Sequence, residues 1–235
     1  MTDNDNHPTI LIIGASRGLG CALAKTFLDQ GWNVVGTVRQ PDSTPLHDLA
    51  RRHPGRVAIE QLDITLPEQI DTLRERLSTR TFDMLFMNAG ITNRHPEQIV
   101  AQVSTDEFVH VMVTNALAPM RVVEALCDLV VAGGLIGVMS SGQGSVANNT
   151  QGQREVYRGS KAALNTFMRS FAARHAHERR PMVLMAPGWV RTELGGPEAR
   201  LDIDESIPNV VKTLLAARSH PGLQYLDYLG RTVPW

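Results

Sequence analysis

The sequence contains very few cysteines and very few lysines. Cys21 and Cys127 are the only cysteines in 235 residues, too few for a disulfide framework or a zinc cluster, so we expect both to be small buried side chains. Eight histidines occur, but His175 and His177 stand two apart on a predicted helix and point in different directions, so no metal site is expected. Of the 23 basic residues, 20 are Arg and only 3 are Lys.

Long apolar runs and a strong net charge are also absent. The formal net charge is -1, which gives no attraction to a nucleic acid or an anionic membrane. The longest apolar stretch, 129–139, is interrupted by glycines and falls short of the roughly 20 residues of a membrane span. The polar N-terminus precedes an apolar run, 10–13, that is too short for a signal peptide. The sequence therefore predicts a cytoplasmic protein that acts on small molecules, with no nucleic-acid or membrane partner.

Short apolar runs alternate with longer amphipathic segments, which is the pattern of β-α units that form a parallel sheet. The run 9–13 predicts a buried strand, and residues 18–30 follow with helical spacing until Gly31. Further strands are predicted at 33–38, 57–61, 84–87, 135–139, 182–185 and 223–226. Because no repeat or linker interrupts the chain, residues 1–235 are expected to form one Rossmann-type α/β domain. Its doubly wound, mainly parallel sheet would have seven strands, with helices on both faces.

A glycine-rich turn follows the first predicted strand. Glycines at this point let the backbone approach a pyrophosphate, which the helix N-terminus binds through its free N–H groups. The spacing is G-x-x-x-G-x-G rather than G-x-G-x-x-G, and it lacks the Gly-Lys-Ser/Thr of a P-loop. The turn indicates a dinucleotide site, and a turn without a ligand is the alternative. Its residues are Gly14, Ala15, Ser16, Arg17, Gly18, Leu19 and Gly20.

The second predicted strand ends in a basic residue. Proteins that bind NAD usually place Asp or Glu there, about 20 residues past the glycines, to bind the ribose 2′-hydroxyl. Here the strand ends at Arg39, and the first carboxylate is Asp42. Arg39 and Arg17 could both pair with a 2′-phosphate. The pattern favours NADP(H) over NAD(H), with two solvated surface arginines as the alternative.

Tyr157 and Lys161 stand four residues apart, so on a helix their side chains share one face. A phenol with a pKa near 10 exchanges protons poorly at neutral pH. A nearby ammonium stabilises the phenolate and lowers that pKa, which would let Tyr157 exchange a proton with a carbonyl or alcohol oxygen. Most isolated pairs of this kind are only exposed helix residues, so the meaning of this pair depends on its context.

In that context the sequence resembles the short-chain dehydrogenase/reductase family along nearly its whole length. Besides the glycine turn and the Tyr-Lys pair, Asp63 follows the third strand, Asn115 lies in a later helix and Ser141 follows the fifth strand. Several of these motifs come directly after strands, where an open α/β sheet binds its ligand. Two further matches are Asn88-Ala89-Gly90 after the fourth strand and Pro187-Gly188 after the sixth.

The resemblance implies a role for each matching residue. Tyr157 would be the general acid in carbonyl reduction, and Ser141 would orient the substrate oxygen. Lys161 would bind the nicotinamide ribose and lower the Tyr157 pKa, while Asn115 would hold a water in a proton relay. Asp63 would meet the adenine. The residues that the resemblance places at the cofactor are Gly14, Ser16, Arg17, Gly18, Leu19, Gly20, Arg39, Asp63, Ile64, Asn88, Ala89, Gly90, Tyr157, Lys161, Pro187, Gly188, Val190 and Thr192.

Two serines compete for the substrate-orienting role, since strand alternation points Ser140 and Ser141 to opposite faces. The resemblance favours Ser141. The interval from Ser141 to Tyr157 is longer than in most members, and with the segment 187–206 and the C-terminus it resembles the subgroup of C-factor and Sniffer-type carbonyl reductases. Candidate pocket walls are Gln143, Val146, Arg154 and Trp189.

The resemblance implies an NADP(H)-dependent reductase of small carbonyl compounds, acting reversibly and assembling as a homodimer or homotetramer. The alternative is a C-factor-type signalling protein that binds the dinucleotide with little turnover. A sugar epimerase of the extended relatives is disfavoured, because the chain lacks the extra C-terminal substrate domain.

Overall fold

The computed structural model describes residues 7–235, and the strands of this part form one parallel sheet. They pair in the order β3-β2-β1-β4-β5-β6-β7, all in parallel. The predicted seven-stranded Rossmann-type sheet is therefore confirmed, and the sheet is wholly rather than mainly parallel. The strands are β1 (Thr9–Ile13), β2 (Asn33–Val38), β3 (Val57–Gln61), β4 (Phe82–Met87), β5 (Val130–Met139), β6 (Pro181–Ala186) and β7 (Gly222–Asp227).

Helices cover both faces of the sheet, because each sheet face is apolar and must be buried. One face packs against α3, α5 and α6, and the other against α1, α2 and α7. A π-helical turn, Val113–Leu117, joins α4 to α5. The helices are α1 (Gly18–Asp29), α2 (Pro45–Arg52), α3 (Pro67–Leu77), α4 (Thr105–Met112), α5 (Ala118–Leu126), α6 (Glu155–Arg174) and α7 (Ile203–Ala217).

The largest error in the predicted strands concerns β5, which begins at Val130 instead of residue 135. Two glycines had marked the expected start of the strand. In the structure Gly133 has a φ of +75°, and the pairing with β4 shifts register between Phe82 and Met84. The glycines therefore form an irregularity within a longer strand, which is a common role for glycine in a sheet.

The topology places the site at the carboxyl ends of the strands. The strand order reverses between β1 and β4, and an open α/β sheet has its ligand crevice at such a switch point. Away from this crevice, Cys21 and Cys127 are half-buried rather than fully buried as expected. Within residues 7–235, every helix is too short or too polar to span a bilayer.

Candidate active site

The turn after β1 is packed so closely that Gly14 and Gly20 have no room for a side chain. Gly14 has a φ of +87°, and a Cβ on Gly20 would lie 2.0 Å from the Gly14 carbonyl oxygen. The Asn88 Nδ2 donates to that same oxygen at 2.7 Å. Only glycines allow this approach of two backbone segments, which brings the start of α1 to the crevice. No side chain caps the N-terminus of α1, so its free N–H groups suit an anion.

The basic residues expected at the cofactor are both exposed. The Arg39 side chain has no hydrogen bond or ion pair within residues 7–235, and only its carbonyl is bonded, by Gln61. Arg17 makes an ion pair of 2.8 Å with Glu193, from the far side of the crevice. A carboxylate is missing from the end of β2, as the sequence indicated. This arrangement leaves Arg39 free to pair with a phosphate.

Asp63 forms a tight turn directly after β3. Its Oδ1 accepts from the Thr65 backbone N–H at 2.9 Å and from the Thr65 hydroxyl at 2.6 Å. The other carboxylate oxygen has no partner in the described part of the chain, so it could still accept from a ligand. The neighbouring Ile64 is buried in the core, whereas Ser16 and Leu19 of the first turn are half-buried.

Asn115 lies in the π-helical turn and is fully buried. Its side chain holds the loop after β4, because Oδ1 accepts from the Ile91 N–H and Nδ2 donates to the Ile91 carbonyl, both at 2.8 Å. Nδ2 also donates to the Ser160 hydroxyl at 2.9 Å. The carboxamide is thus occupied in fixing this loop to α6, and the expected role of Asn115 in holding a water stays a prediction.

The two neighbouring serines separate as strand alternation requires. Ser140 is buried and donates to the Asn165 side chain at 2.6 Å. Ser141 is half-buried, and its hydroxyl accepts from the Gln143 N–H at 3.1 Å. Its side chain also lies close enough to Tyr157 to lower the pKa of that phenol. The Ser141 carbonyl in turn accepts from the Tyr225 hydroxyl. Of the pair, Ser141 is therefore the one that faces Tyr157.

Tyr157 and Lys161 lie on the buried side of α6, with 7% and 3% of their surface exposed. The Lys161 Nζ is 5.9 Å from the centre of the Tyr157 ring and donates to the Met139 carbonyl at the end of β5, at 2.9 Å. A Cβ placed on Gly90 would lie 3.3 Å from both Nζ and the Asn115 Oδ1. These contacts bring three of the expected sequence motifs to one point beside the glycine turn.

The electrostatics of this pair differ from the expectation. Burial raises the pKa of Tyr157, while the hydrogen bond from Ser141 and the charge of Arg154 lower it. The lowering that we expected from Lys161 comes in this structure from Ser141 and, to a smaller extent, from Arg154, whose Cζ lies 5.2 Å from the Tyr157 ring centre. Burial also lowers the pKa of Lys161 to about 8. Arg154 is therefore a functional candidate that sequence reasoning had placed only among the pocket walls.

The segment after β6 closes the other side of the crevice. Gly188 has a φ of +87°, and the buried Val190 pairs with Leu201. The Thr192 hydroxyl accepts from the Gly195 N–H at 3.0 Å, so here it caps its own loop. The Pro187 carbonyl accepts from the buried Ser206 hydroxyl at 2.6 Å.

The remaining candidate pocket walls differ in their exposure. Trp189 is 46% exposed and its indole donates to the Gly195 carbonyl at 2.8 Å. Val146 is 72% exposed, too open to be a wall in this structure. Gln143 is half-buried, and its Oε1 is buried without a hydrogen-bond partner. Residues 7–235 contain no group of three His, Cys, Asp or Glu side chains that could hold a metal.

Comparison with known proteins finds the same fold and family. Residues 8–200 match the family model of short chain dehydrogenases. A structure of a short-chain dehydrogenase/reductase from Burkholderia multivorans with bound NADP is 66% identical and superposes with a TM-score of 0.96, covering 97% of this chain and all of that one.

Two more distant relatives belong to the subgroup that the sequence resembled. The carbonyl reductase Sniffer of D. melanogaster is 28% identical, with a TM-score of 0.89 over 98% of this chain and all of that one. C-signal from Myxococcus xanthus is 33% identical over 159 residues, which are 67% of this chain and 95% of that protein. One of these relatives is named for an enzymatic activity and the other for a signal.

Proposed function

The chain belongs to the short-chain dehydrogenase family of oxidoreductases, and on that premise we propose that it reduces small carbonyl compounds to alcohols with NADPH, in a reversible reaction. The observation that carries this proposal is the convergence of Ser141, Tyr157 and Lys161 beside the glycine turn. Ser141 lies close enough to Tyr157 to lower its pKa, and the Lys161 ammonium lies 5.9 Å from the Tyr157 ring centre. A protein that only sensed the dinucleotide would have no chemical need for all three groups.

The first turn and its surroundings fit a dinucleotide. The contact between Gly20 and the Gly14 carbonyl keeps side chains out of the path of a pyrophosphate. The N-terminus of the 12-residue helix α1 can bind the phosphates, and Asp63 has a free carboxylate oxygen for the adenine end. Thr192, Pro187, Gly188 and Val190 would line the nicotinamide end, where the Thr192 hydroxyl would exchange its contact with Gly195 for one to the cofactor.

NADP(H) is the proposed form of the cofactor. The 2′-phosphate needs a positive partner at the end of β2, and Arg39 is an exposed cation there without a competing partner. Arg17 could add a second charge by giving up its exposed ion pair with Glu193, which is a weak interaction. The relative from Burkholderia multivorans holds NADP, which supports the same choice.

The chemistry divides between the cofactor and a few side chains. Bound NADPH supplies the hydride that adds to the carbonyl carbon. Ser141 would donate a hydrogen bond to the substrate oxygen and so fix its position. Because burial raises the pKa of Tyr157, its phenol holds a proton at neutral pH and can give it to that oxygen as the alkoxide forms. In the reverse direction the same oxygen atom of Tyr157 would take the proton back.

Measurement of NADPH binding and turnover tests this function. We expect NADPH to bind, and at least one compound in a panel of aldehydes, ketones and quinones to oxidise it in a reaction that Tyr157→Phe abolishes. The matched control is the same panel with Tyr228→Phe, since the Tyr228 hydroxyl has no hydrogen-bond partner within residues 7–235. Tight NADPH binding without any Tyr157-dependent oxidation would instead favour the signalling alternative.

The proposed cofactor preference depends on Arg39. Replacing Arg39 with Ala is expected to weaken NADPH binding by roughly 10–100-fold, the value of a charge-assisted hydrogen bond, and to leave NADH binding unchanged. Fluorescence titration with both nucleotides measures the two affinities. Arg51→Ala is the control, because Arg51 is another exposed arginine that pairs with Asp48 in its own helix. Equal losses for NADPH and NADH would show that Arg39 does not contact the 2′-phosphate.

We also propose that a second copy of the chain covers the helical face near Asn115 and Tyr157, giving a homodimer or homotetramer. α4, the π-helical turn and α6 contact one another, and apolar surface grouped in this way marks an interaction site. Their large apolar side chains that are 40–49% exposed are Phe108, Val109, Leu117 and Phe167. A sedimentation mass equal to one chain would contradict this.

The single domain over 1–235 and the cytoplasmic location stay predictions, and residues 1–6 lie outside the described part.

A further inference from the structure

Arg154 occupies an unusual position directly in front of α6, three residues before Tyr157. Its guanidinium lies between the loops that follow β4 and β6, with Nη2 at 3.4 Å from both the Thr92 hydroxyl and the Leu194 carbonyl. Its Cζ lies 5.2 Å from the Tyr157 ring centre. Both hydrogen bonds are long, and the buried Nε has no partner at all. The guanidinium is thus poorly satisfied beside the Tyr157 ring.

The positive charge of Arg154 also has no counter-ion. Two neighbouring carboxylates have other partners. Glu155, the next residue, accepts from the Val100 N–H at 2.7 Å, and Glu193, which precedes the contact residue Leu194, pairs with Arg17 at 2.8 Å. Within residues 7–235, no acidic side chain makes an ion pair with Arg154. A cation without a carboxylate partner is available to pair with an anion that arrives with a ligand.

The backbone around Arg154 is held in a strained conformation. Gly152, Gln153 and Arg154 have φ values of 65°, 60° and 51°, so two successive residues with side chains adopt the left-handed region that such residues disfavour. Strain of this kind persists where the surrounding structure enforces it, and it concentrates at functional sites. Here the left-handed conformation occurs not only at Gly152 but also at Gln153 and Arg154, and it places the Arg154 guanidinium beside the Tyr157 ring.

We propose that Arg154 binds a carboxylate of the substrate, so that the enzyme reduces an oxo acid whose carboxylate lies close to the carbonyl group. This rests on the proposed function and narrows its substrate class. The planar guanidinium matches a carboxylate with two parallel hydrogen bonds. Nη1 has no partner in the described chain, and Nη2 makes only two bonds of 3.4 Å, to Thr92 and Leu194. In the reaction the carbonyl carbon accepts the hydride that NADPH supplies. The π electrons of the C=O bond move to the oxygen, and Tyr157 gives its proton to that oxygen. The carboxylate is unchanged, and the product is a hydroxy acid.

A comparison of oxo acids with their methyl esters tests this proposal. Each ester keeps the carbonyl and loses only the negative charge, and a series with increasing distance between carbonyl and carboxylate locates the preferred spacing. For Arg154→Asn we expect kcat/KM on the preferred acid to fall by roughly 10–100-fold, mainly through KM, and kcat/KM on the ester to fall far less. Asn tolerates the left-handed backbone, so this variant should fold. Arg154→Lys should recover part of the loss.

Arg179 offers a matched control. It has the same φ of 51° and is exposed. It precedes the first residue of β6, so it lies at the amino ends of the strands, opposite the site. Arg179→Asn therefore removes the same charge from the same backbone conformation and should leave both substrates unaffected. Wild-type preference for the ester, or an equal loss on acid and ester in Arg154→Asn, would overturn the proposal; the equal loss would mean that Arg154 acts on Tyr157 itself.

A binding experiment separates this proposal from the proposed function. Malonate carries carboxylates but no reducible ketone, so calorimetric titration of the NADP-loaded protein reports binding without turnover. We expect malonate to bind the wild type and Arg179→Asn but not Arg154→Asn. If no carbonyl compound is reduced and this binding pattern is still found, the proposed reduction fails and the anion site stands. If esters are reduced but malonate binds neither protein, or binds wild type and Arg154→Asn equally, the proposed anion site is wrong and the proposed reduction stands.

Discussion

Replacing Tyr157 with Phe is expected to lower kcat for carbonyl reduction by roughly 10²–10⁴-fold, the contribution of a positioned general acid, while the affinity for NADPH is unchanged. The substitution removes one hydroxyl from a residue that is 7% exposed and leaves the ring between its neighbours. Single-turnover measurement with saturating NADPH separates the chemical step from binding. The loss should therefore appear in the rate of hydride transfer.

The size of this effect follows from the lack of any substitute for the phenol. The polar side chains near Tyr157 are engaged elsewhere. Lys161 donates to the Met139 carbonyl, and the Asn115 carboxamide is bonded to Ile91 and Ser160. Ser141 can orient the oxygen, but an alcohol is too weak an acid to replace a phenol. Without Tyr157 the alkoxide would have to take its proton from water.

Ser141→Ala provides the comparison for this prediction. It removes the hydrogen bond that lowers the Tyr157 pKa and the group that would orient the substrate, but keeps the proton donor, so its loss should be smaller than that of Tyr157→Phe. A Tyr157→Phe enzyme that retains more activity than Ser141→Ala would mean that another group supplies the proton.

Most of the fold could be predicted from the sequence, because strands covered on both faces are short apolar runs that helical segments separate. β1, β2 and β3 begin and end where the pattern predicts them. The predicted start of β5 was wrong. Gly133 and Gly134 look like a strand boundary in the sequence but form an irregularity within the strand. A local pattern cannot distinguish these two roles of glycine, which depend on how β4 pairs beside them.

The site shows the same division between local pattern and tertiary structure. Alternation separates Ser140 from Ser141, and helical spacing places Tyr157 above Lys161, so both relations could be derived from the sequence. The charge of Arg154 beside Tyr157 could not, because it depends on a left-handed backbone that no residue type at 153 or 154 indicates. The one available signal was its place three residues before Tyr157.

Replacing Lys161 with Arg is expected to remove most of the activity, by about 100-fold or more if a positioned charge and its hydrogen bonds are lost, while the protein stays folded. The Lys161 Nζ is buried, donates to the Met139 carbonyl and lies so close to Gly90 that an added Cβ there would be 3.3 Å away. A guanidinium is larger and presents its donors in a fixed fork. It would have to leave this position, and with it the ribose hydroxyls that Lys161 is proposed to bind.

The other two lysines are matched controls for this substitution. Lys25 is exposed and pairs with Asp29 at 2.6 Å, and Lys212 is exposed on α7. Arg can replace both wherever only a solvated positive charge is needed, so Lys25→Arg and Lys212→Arg should keep full activity. In a chain with 20 Arg and 3 Lys, a near-normal rate for Lys161→Arg would overturn the role assigned to this ammonium.

The pH dependence of stability tests the burial of the same ammonium. Its pKa is lowered to about 8 in the folded protein from 10.5, so between these pH values the unfolded chain binds more protons than the folded one. The free energy of unfolding should therefore rise with pH across this window, and the destabilisation should be complete below pH 8. Lys161→Met removes it, so this variant should be more stable than the wild type at pH 7, by roughly 2–4 °C in Tm per kcal/mol gained. Thermal unfolding of both proteins from pH 7 to 10 should show the difference shrinking; a constant difference would mean that burial does not lower the pKa of Lys161 in the folded protein.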